Sequence, residues 1–536
     1  MSFRLNSSQQ ISLFDKLAFL SNRKLKMLQN SWAQAFSDHI FTKIDEQIFA
    51  PLYSEKTNSR PNAPINVIVG ALILKDFTGQ TDDEMLESVE FDYRYQYALH
   101  TTSFAEQPFS DRTFSRFRER CAAYELTTGE DLIHTCFVSL SEEMRKFMNI
   151  SPNVKRMDSM MIESNIRKMG RLELLYTCLS NLVRELHRDG RVDLTDGVEH
   201  YAEADDRNKV LYHDSDTPQN IRLQKVIDDA AALLPKCEED YGDTEEYQLL
   251  ERAIQEQTKE DDKGKNIPRE KGDGMTSSSL QNPSDPDATY RLKAGRSHRG
   301  YVANLTEAVD ENGSIVTDYQ YDVNTRSDSS FLNEEIESMD NAAERQTIIA
   351  DGGYSGKEVR KQAAEKNIDI ITTGLLGRKP RSILLDFKLS EDGRTVTECP
   401  AGNIPRASSY ILQSQSIRVS FSREKCEHCP HRTECLVHLK PQTAYLTFSI
   451  NGIKRAQESK DRHNDESLKV AGRIRNGVET LPSILRRKYH VDRMPVRRKL
   501  KTKQFFGFKV MSLNFTKLLR HTRGLEKCRT LAPVNG

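Results

Sequence analysis

Apolar residues recur at helical spacing through the first 150 residues of the chain. Between residues 64 and 99 they return every three or four positions, which is typical of amphipathic helices. A break in this pattern is followed by Thr81 and Glu84, a capping-box pair that predicts the start of a further helix. We therefore expect a helical domain over 1–150.

A short basic helix is predicted near the end of this domain. Ser110 or Asp111 is expected to cap it, and its four arginines are Arg112, Arg116, Arg118 and Arg120. Short helices that end in a basic one are typical of helix-turn-helix DNA-binding modules. A helical bundle with a solvated arginine face fits the same spacing, so both interpretations stay open.

Beyond this domain the apolar pattern becomes that of strands. Residues 153–162 form a short apolar segment with Asp158 in its middle. Residues 300–324 predict two strands joined by an Asp-Glu-Asn-Gly turn. Residues 345–355 predict a third strand that ends on Asp351, and a helix and another strand follow. This alternation, with a hairpin inside it, predicts a mixed α/β sheet.

The remaining segments differ in composition, and the predicted organisation follows from them. It comprises a helical N-terminal DNA-binding domain over 1–150, a sheet core over 151–172 and 286–379, an acidic helical insertion with a mobile loop over 173–285, an irregular cysteine-bearing insertion over 380–450, and a helical C-terminal region with a basic tail over 451–536.

The formal net charge is only −1 at pH 7, but the charges are strongly segregated along the chain. Residues 481–520 hold twelve Lys or Arg and one acid, whereas residues 226–262 hold thirteen acids. A basic segment this dense predicts binding to the phosphates of double-stranded DNA. Its candidate DNA contacts are Arg487, Lys488, Arg497, Arg498, Lys499 and Lys501.

Composition also restricts where the protein works. No run of 18 apolar residues and no secretory signal is visible, so we expect no membrane partner. The nine cysteines are an odd number in a long chain, which indicates a reducing compartment and not a disulfide scaffold.

Two acids lie within or at the end of apolar strands. Asp158 and Asp351 would be costly there without a partner, and a divalent cation between them would remove their repulsion. The alternative is that either one is a strand-end turn residue. Asp285 and Asp287 flank a proline in a turn that we expect to be exposed, so we interpret them as loop formers or substrate contacts and not as metal ligands.

Three segments carry a resemblance to a known family. They are Ala350-Asp-Gly-Gly-Tyr354, Ser284-Asp-Pro-Asp-Ala288, and the spacing Arg475-x3-Glu479-x6-Arg486. With the helical first domain and a cysteine-bearing insertion before the Glu, they resemble the DDE transposases of bacterial insertion sequences. The chain departs from that signature where Gly472 replaces its tyrosine and where Arg486 replaces its lysine.

The resemblance implies a ribonuclease H-like mixed sheet core in which Asp158, Asp351 and Glu479 bind Mg²⁺ or Mn²⁺. Arg475 and Arg486 would hold phosphates or the carboxylates in place. The implied activity is cleavage of DNA at the terminal inverted repeats of an insertion sequence, followed by joining of the 3′-OH to target DNA. The implied protein is a homodimer when assembled on DNA, in the bacterial cytoplasm with the nucleoid.

The placement of Glu479 stays open at this point. Pro482 fits the first turn of a helix capped by Thr480, which would leave Glu479 just outside that helix. Asp465 and Glu466 are its nearest rivals for the third carboxylate.

Four of the cysteines group together as Cys399-x26-Cys426-x2-Cys429-x5-Cys435. The C-x2-C pair is typical of structural zinc sites, and a nearby histidine (His428, His431 or His438) could replace one ligand. Zinc would then stabilise a segment that we expect to have too little apolar content to fold unaided. A group of reduced thiols without metal is the alternative.

Two other functions remain compatible with the sequence. One is a DNA-binding protein that descends from a transposase and has lost its chemistry. The other is a metal-dependent nuclease of the same fold that does not join strands.

Overall fold

The structure is a computed structural model that describes residues 1–6, 15–55, 59–103, 109–213, 217–270, 273–274, 276–293, 295–339, 344–354, 356–374 and 381–524. The chain divides into two compact units. The larger unit comprises Met1–Glu335 and Val478–Gly536, and the smaller unit comprises Ile336–Gly477.

The helices follow one another in chain order as α1 (Asn22–Gln29), α2 (Trp32–His39), α3 (Ile65–Thr78), α4 (Asp82–Phe91), α5 (Tyr93–Ala98), α6 (Thr113–Thr128), α7 (Leu132–Phe147), α8 (Arg171–Arg188), α9 (Asp206–Asn208), α10 (Gln219–Tyr241), α11 (Glu245–Gln257), α12 (Asp328–Ser338), α13 (Lys357–Glu365), α14 (Arg423–Glu427), α15 (Ile450–Asn464), α16 (Glu466–Asn476), α17 (Thr480–Arg487) and α18 (Lys499–Thr522).

The strands are β1 (Val154–Glu163), β2 (Thr258–Glu260), β3 (Asn266–Pro268), β4 (Thr289–Lys293), β5 (Arg296–Asp310), β6 (Gly313–Val323), β7 (Gln346–Ala350), β8 (Ile368–Thr372), β9 (Lys388–Leu389), β10 (Val396–Glu398), β11 (Ala407–Ile411), β12 (Ser416–Ser422), β13 (His438–Leu439) and β14 (Thr443–Ser449).

The helical N-terminal part of the larger unit packs around α3, which is buried over most of its length. The last helix, α18, lies against α3: buried Lys509 donates to Asp76 over 2.7 Å, and the Ser512 hydroxyl donates to the Ile73 carbonyl over 2.7 Å. The C-terminal basic segment is therefore not a free tail beyond Lys499, because α18 is a core helix.

One of the two predicted helix starts, that of α4, is confirmed, and the other, that of α6, is wrong. The capping box of Thr81 and Glu84 is confirmed at the start of α4. The prediction that Ser110 or Asp111 caps the basic helix is wrong, because Arg112 is the cap residue of α6 and no side chain caps it. The helix also continues to Thr128, well beyond the predicted basic segment.

β5 is the central strand of the larger unit's sheet and pairs antiparallel with β1, β4 and β6. The predicted hairpin is confirmed, since Asp310 pairs with Gly313 across its turn. In the β1–β5 register Asp158 lies opposite Leu305 and Met160 lies opposite Ala303. Directly opposed residues share one face of a sheet, so Asp158 lies on the face that carries the main apolar core.

The acidic insertion is helical, as predicted. Helices α8, α10 and α11 enclose an apolar core of their own, which includes Leu175, Leu182, Ile227 and Leu250. The antiparallel pair β2–β3 follows directly after α11. No helix in the described ranges is both long and apolar enough to cross a membrane.

The smaller unit contains the parallel pair β7–β8, with α13 between its strands. The prediction of a strand, a helix and a further strand is confirmed there, and antiparallel and parallel pairs together make the fold mixed α/β. The prediction that the segment 380–450 is irregular is wrong. This part of the chain contains an antiparallel sheet in the order β11-β12-β14-β13.

The same segment has an apolar core of its own, which corrects a second expectation about it. Ile417, Val419 and Leu446 are almost fully buried within that core. The segment therefore has more apolar content than the sequence interpretation allowed.

Candidate active site

Asp158 lies in the middle of β1, on the sheet face that the main core covers. Its carboxylate accepts a hydrogen bond from the Ser159 amide over 3.0 Å. Its side chain is only partly buried, whereas Met157 and Met160 on either side of it are almost fully buried. A partly exposed carboxylate between buried methionines is placed to bind a ligand.

Glu479 is the cap residue of α17, with φ −62° and ψ −16°, and its side chain does not cap the helix. Pro482 lies in the first turn of α17, as predicted, although the cap is Glu479 and not Thr480. Because α16 ends at Asn476, Arg475, Glu479 and Arg486 do not share one continuous helix. Val478 and Leu481 are buried in the same core that covers the Asp158 face.

Arg486 joins α17 to the strand that carries Asp158. Its Nη2 donates to the Met161 carbonyl over 2.7 Å, and its Nε donates to Asp492 over 3.0 Å. Asp492 in turn accepts from the Glu163 amide over 3.1 Å. The guanidinium therefore holds the end of α17 against the second half of β1.

Asp351 and Arg475 both lie in the smaller unit. Asp351 comes directly after β7 and accepts from the Gly353 amide over 2.7 Å, so it forms the strand-end turn that was the alternative interpretation. It also lies 3.9 Å from the Arg475 guanidinium. The partly exposed Asp351 carboxylate can bind a cation, and the Arg475 guanidinium beside it can bind a phosphate.

The two rival carboxylates have other roles in the structure. Asp465 caps α16 by accepting hydrogen bonds from the Ser467 and Leu468 amides. It also accepts one from the Ser467 hydroxyl over 2.6 Å. The bond from this hydroxyl, and then those from the amides, lower the pKa of the Asp465 carboxyl. Glu466 is exposed and pairs with Lys469 over 3.1 Å. A helix cap explains Asp465 without any metal.

Asp285 is a buried anchor, which corrects the expectation of an exposed turn. It is fully buried and accepts from the Tyr301 hydroxyl over 2.5 Å, from the Ser164 hydroxyl and from the Arg498 amide over 2.9 Å. Asp287 is exposed and accepts from the Lys499 amide over 3.0 Å. Sequence reasoning missed this anchor because its partners are distant in the chain.

The four arginines near the start of α6 divide into two pairs. Arg118 donates to Asp82 and lies over the Phe505 ring, while Arg120 lies over the Tyr53 ring. Arg112 and Arg116 are exposed and make no ion pair with the residues that the structure describes. Only Arg112 and Arg116 therefore present their charge to solvent.

The candidate DNA contacts of the basic segment also divide into cations that have partners within the chain and cations that form no ion pair. Arg498 pairs with Glu245 over 2.6 Å and Lys499 pairs with Asp322 over 3.1 Å. Burial lowers the pKa of Lys488, whose ammonium donates to the Thr516 hydroxyl.

Arg497 is exposed and donates to the Asn165 carbonyl over 2.8 Å. Arg487 and Lys501 are exposed and form no ion pair within the described part of the chain. These two cations are therefore exposed and have no ion pair among the described residues, which suits contact with a phosphate backbone.

The four grouped cysteines lie in the smaller unit as free thiols. All four line one small cavity, together with His431 and Arg432. Burial, and then the neighbouring cysteines, raise the pKa of Cys426 to about 11. The structure therefore brings together the group that the sequence spacing singled out.

Among the residues that the structure describes, no three His, Cys, Asp or Glu side chains are already arranged around a metal position. The donor set still fits a hard cation, because Asp158, Asp351 and Glu479 supply only carboxylate oxygens, and these are the ligands that Mg²⁺ and Mn²⁺ prefer. The metal assignment of these three residues stays a prediction.

Comparison with known proteins gives the family. Residues 276–515 match the model described as Transposase DDE domain, and residues 26–120 match the model described as Transposase domain (DUF772). No curated protein matches this chain. The first match includes Asp351 and Glu479, whereas Asp158 lies before it.

A solved structure described as a piggyBac transposase synaptic complex with hairpin DNA, determined by cryo-EM, aligns with 94% of this chain and 79% of its own. The TM-score is 0.30 and the sequence identity is 9%, and we base no argument on so weak a likeness.

Two transposase matches, over residues 26–120 and 276–515, together with a mixed α/β fold support a transposase, an enzyme that moves DNA segments. The DDE-domain match covers residues 276–515, a little under half of the chain, and supports the function of a DDE-type transposase.

Proposed function

We propose that this transposase cuts DNA at the terminal inverted repeats of a bacterial insertion sequence and joins the freed 3′-OH to target DNA. The observation that carries the proposal is the DDE-domain match over residues 276–515. Asp158, Asp351 and Glu479 are the proposed metal ligands. Arg475 and Arg486 are proposed to hold phosphates or the carboxylates in position.

The geometry of the larger unit supports this assignment of Asp158 and Glu479. Arg486 contacts the Met161 carbonyl, and Glu479 precedes Arg486 by about 10 Å along α17. Asp158 precedes Met161 by about 10 Å along β1. Asp158 and Glu479 therefore lie on elements that this contact joins and that contribute to one apolar core.

Bound Mg²⁺ or Mn²⁺ would activate water and stabilise the leaving 3′ oxygen in phosphodiester cleavage. The chain's own contribution is to hold the carboxylates and to present cations to the phosphates. Arg475 lies 3.9 Å from Asp351, so it can orient that carboxylate or contact a phosphate beside it. We further propose a homodimer assembled on DNA and a location in the bacterial cytoplasm with the nucleoid.

The first prediction tests the reaction itself. Purified protein incubated with Mg²⁺, a duplex carrying the repeats that flank its gene and a target plasmid should yield 3′-OH ends and joined products. Sequencing of the junctions measures both steps. Cleavage without joining would indicate the nuclease, and end binding without cleavage would indicate the inactive DNA-binding protein.

The second prediction concerns division of labour in DNA binding. Phosphate contacts provide affinity for any duplex, whereas base contacts provide preference for one sequence. Replacing Arg487 and Lys501 by Gln should weaken binding to all duplexes, and each lost phosphate contact should lower the log–log salt slope by roughly 0.9. Replacing Arg112 and Arg116 by Gln should instead remove the preference for element ends, at about 1–3 kcal/mol per lost base contact.

Competition binding with end-bearing and scrambled duplexes at two salt concentrations separates these outcomes. A variant with Arg23→Gln and Lys24→Gln is the matched control, since it removes the same charge from exposed positions of α1. If the Arg487 and Lys501 variant loses only end preference while the Arg112 and Arg116 variant loses only general affinity, the two assignments are reversed.

A further inference from the structure

The cysteine group of the smaller unit encloses a space of ionic size. Cys399, Cys426, Cys429 and Cys435 line a cavity of about 20 Å³. A cavity needs roughly 10–15 Å³ to hold one water molecule, so this one has room for a single body of that size. Much of the remaining wall is apolar, including Ile383, Phe387, Phe421 and Val437, and it also contains Asn403, His431 and Arg432.

The backbone turns at the cysteines bring them to this cavity. Gly402, with φ +76°, donates its amide to the Cys399 carbonyl over 2.8 Å. The Cys435 amide donates to the His431 carbonyl over 2.8 Å. The left-handed conformation at Gly402 favours glycine, so the turn after Cys399 is specified by the sequence.

We propose that Cys399, Cys426, Cys429 and Cys435 bind one Zn²⁺ as a closed tetrahedral structural site. Four soft thiolates in an apolar wall are the donor set that zinc takes in such sites. Each thiol loses its proton on binding, which leaves a centre of charge −2. Arg432 lines the same cavity and supplies a compensating positive charge.

The side chains must move slightly to bind the ion. In the described ranges no three potential ligands are already arranged around a metal position. Rotation about the Cα–Cβ bond is the movement that turns a cysteine sulfur towards the cavity. Because the surrounding sheet has its own apolar core, loss of zinc should weaken this segment without unfolding it. The proposal does not depend on the transposition chemistry.

Metal analysis of the full-length protein, purified with reductant and without chelator, tests the site. We expect about one zinc per chain in the wild type and a loss of most of it in a variant with Cys426→Ser and Cys429→Ser. The matched control carries Cys178→Ser and Cys237→Ser, which are buried thiols in the helical insertion, and should keep its zinc.

Cobalt substitution of the wild-type protein gives a second readout that needs no variant. Co²⁺ bound by four thiolates should produce intense sulfur-to-metal charge-transfer absorption, and His431→Ala should leave that spectrum unchanged. Absence of zinc from freshly reduced protein would overturn the proposal. So would retention of zinc by the Cys426 and Cys429 variant, or a cobalt spectrum without thiolate bands.

Discussion

Replacing any one of Asp158, Asp351 and Glu479 by its amide should abolish cleavage and leave DNA binding intact. A carboxylate that holds a catalytic metal supports several kcal/mol of transition-state stabilisation, so each substitution should lower the cleavage rate on the order of 10³-fold or more. Binding depends on cations elsewhere in the chain, and an end-bearing duplex should bind each variant at least as well as the wild type.

Single-turnover cleavage in Mg²⁺, with a gel-shift measurement on the same preparations, checks this prediction. Asp465→Asn and Glu466→Gln are the matched controls, because these acids lie close to Glu479 in sequence and have a cap and a surface ion pair as their roles. Full cleavage by Glu479→Gln, with loss of cleavage in either control variant, would move the third ligand to that residue.

The strands that carry the carboxylates could be predicted from sequence because their patterns are local. A run of apolar residues interrupted by Asp158, and another that ends at Asp351, are visible without any knowledge of their neighbours. The role of Arg486 could not be predicted in the same way. Its contact with the Met161 carbonyl joins residues that are more than three hundred positions apart.

Two other predictions from the sequence, for the segment that contains β12 and for Asp285, were wrong for different physical reasons. Ile417, Val419 and Phe421 alternate with polar residues and all three are buried, so the signal for β12 was present in a segment interpreted as irregular. Asp285 is different, since its burial depends on Tyr301, Ser164 and the start of α18. A hydrophilic Ser-Asp-Pro-Asp segment gives no local sign of that burial.

The positive charge of the C-terminal segment was overinterpreted for a related reason. Lys509 and Lys517 count as cations in the sequence, yet both are largely buried and pair with Asp76 and Glu307. Charge density along a chain does not distinguish a cation that faces DNA from one that neutralises a buried acid. The exposed positions, Arg487 and Lys501 among them, carry the DNA-binding proposal.

The buried triad around Glu307 should dominate the stability of the larger unit. Glu307 is fully buried on β5, where it accepts from Arg156 of β1 over 2.6 Å and from Lys517 of α18 over 2.7 Å. Glu307→Gln leaves two buried cations without their anion, which should cost about 3–5 kcal/mol of unfolding free energy at pH 7. Glu311→Gln, at the exposed hairpin turn, is the matched control and should change it by less than about 0.5 kcal/mol.

The pH dependence of the unfolding free energy provides a second, independent test of the same triad. Burial alone would raise the pKa of Glu307, but Lys517 and Arg156 lower it to about 2. A carboxyl with a lowered folded-state pKa stabilises the fold above its unfolded pKa, and this contribution is lost as the pH falls from about 4.5 towards 2. Between pH 7 and pH 3.5 the wild type should therefore lose about 1–2 kcal/mol through Glu307 alone.

The Glu307→Gln variant cannot lose this contribution, so its deficit relative to the wild type should narrow by the same amount at pH 3.5. The single tryptophan, Trp32, packs against Phe77 and Tyr95 in the larger unit, and its fluorescence during urea unfolding reports that unit. If the deficit at pH 7 is below 0.5 kcal/mol, or is the same at both pH values, the triad does not stabilise the fold through its charges.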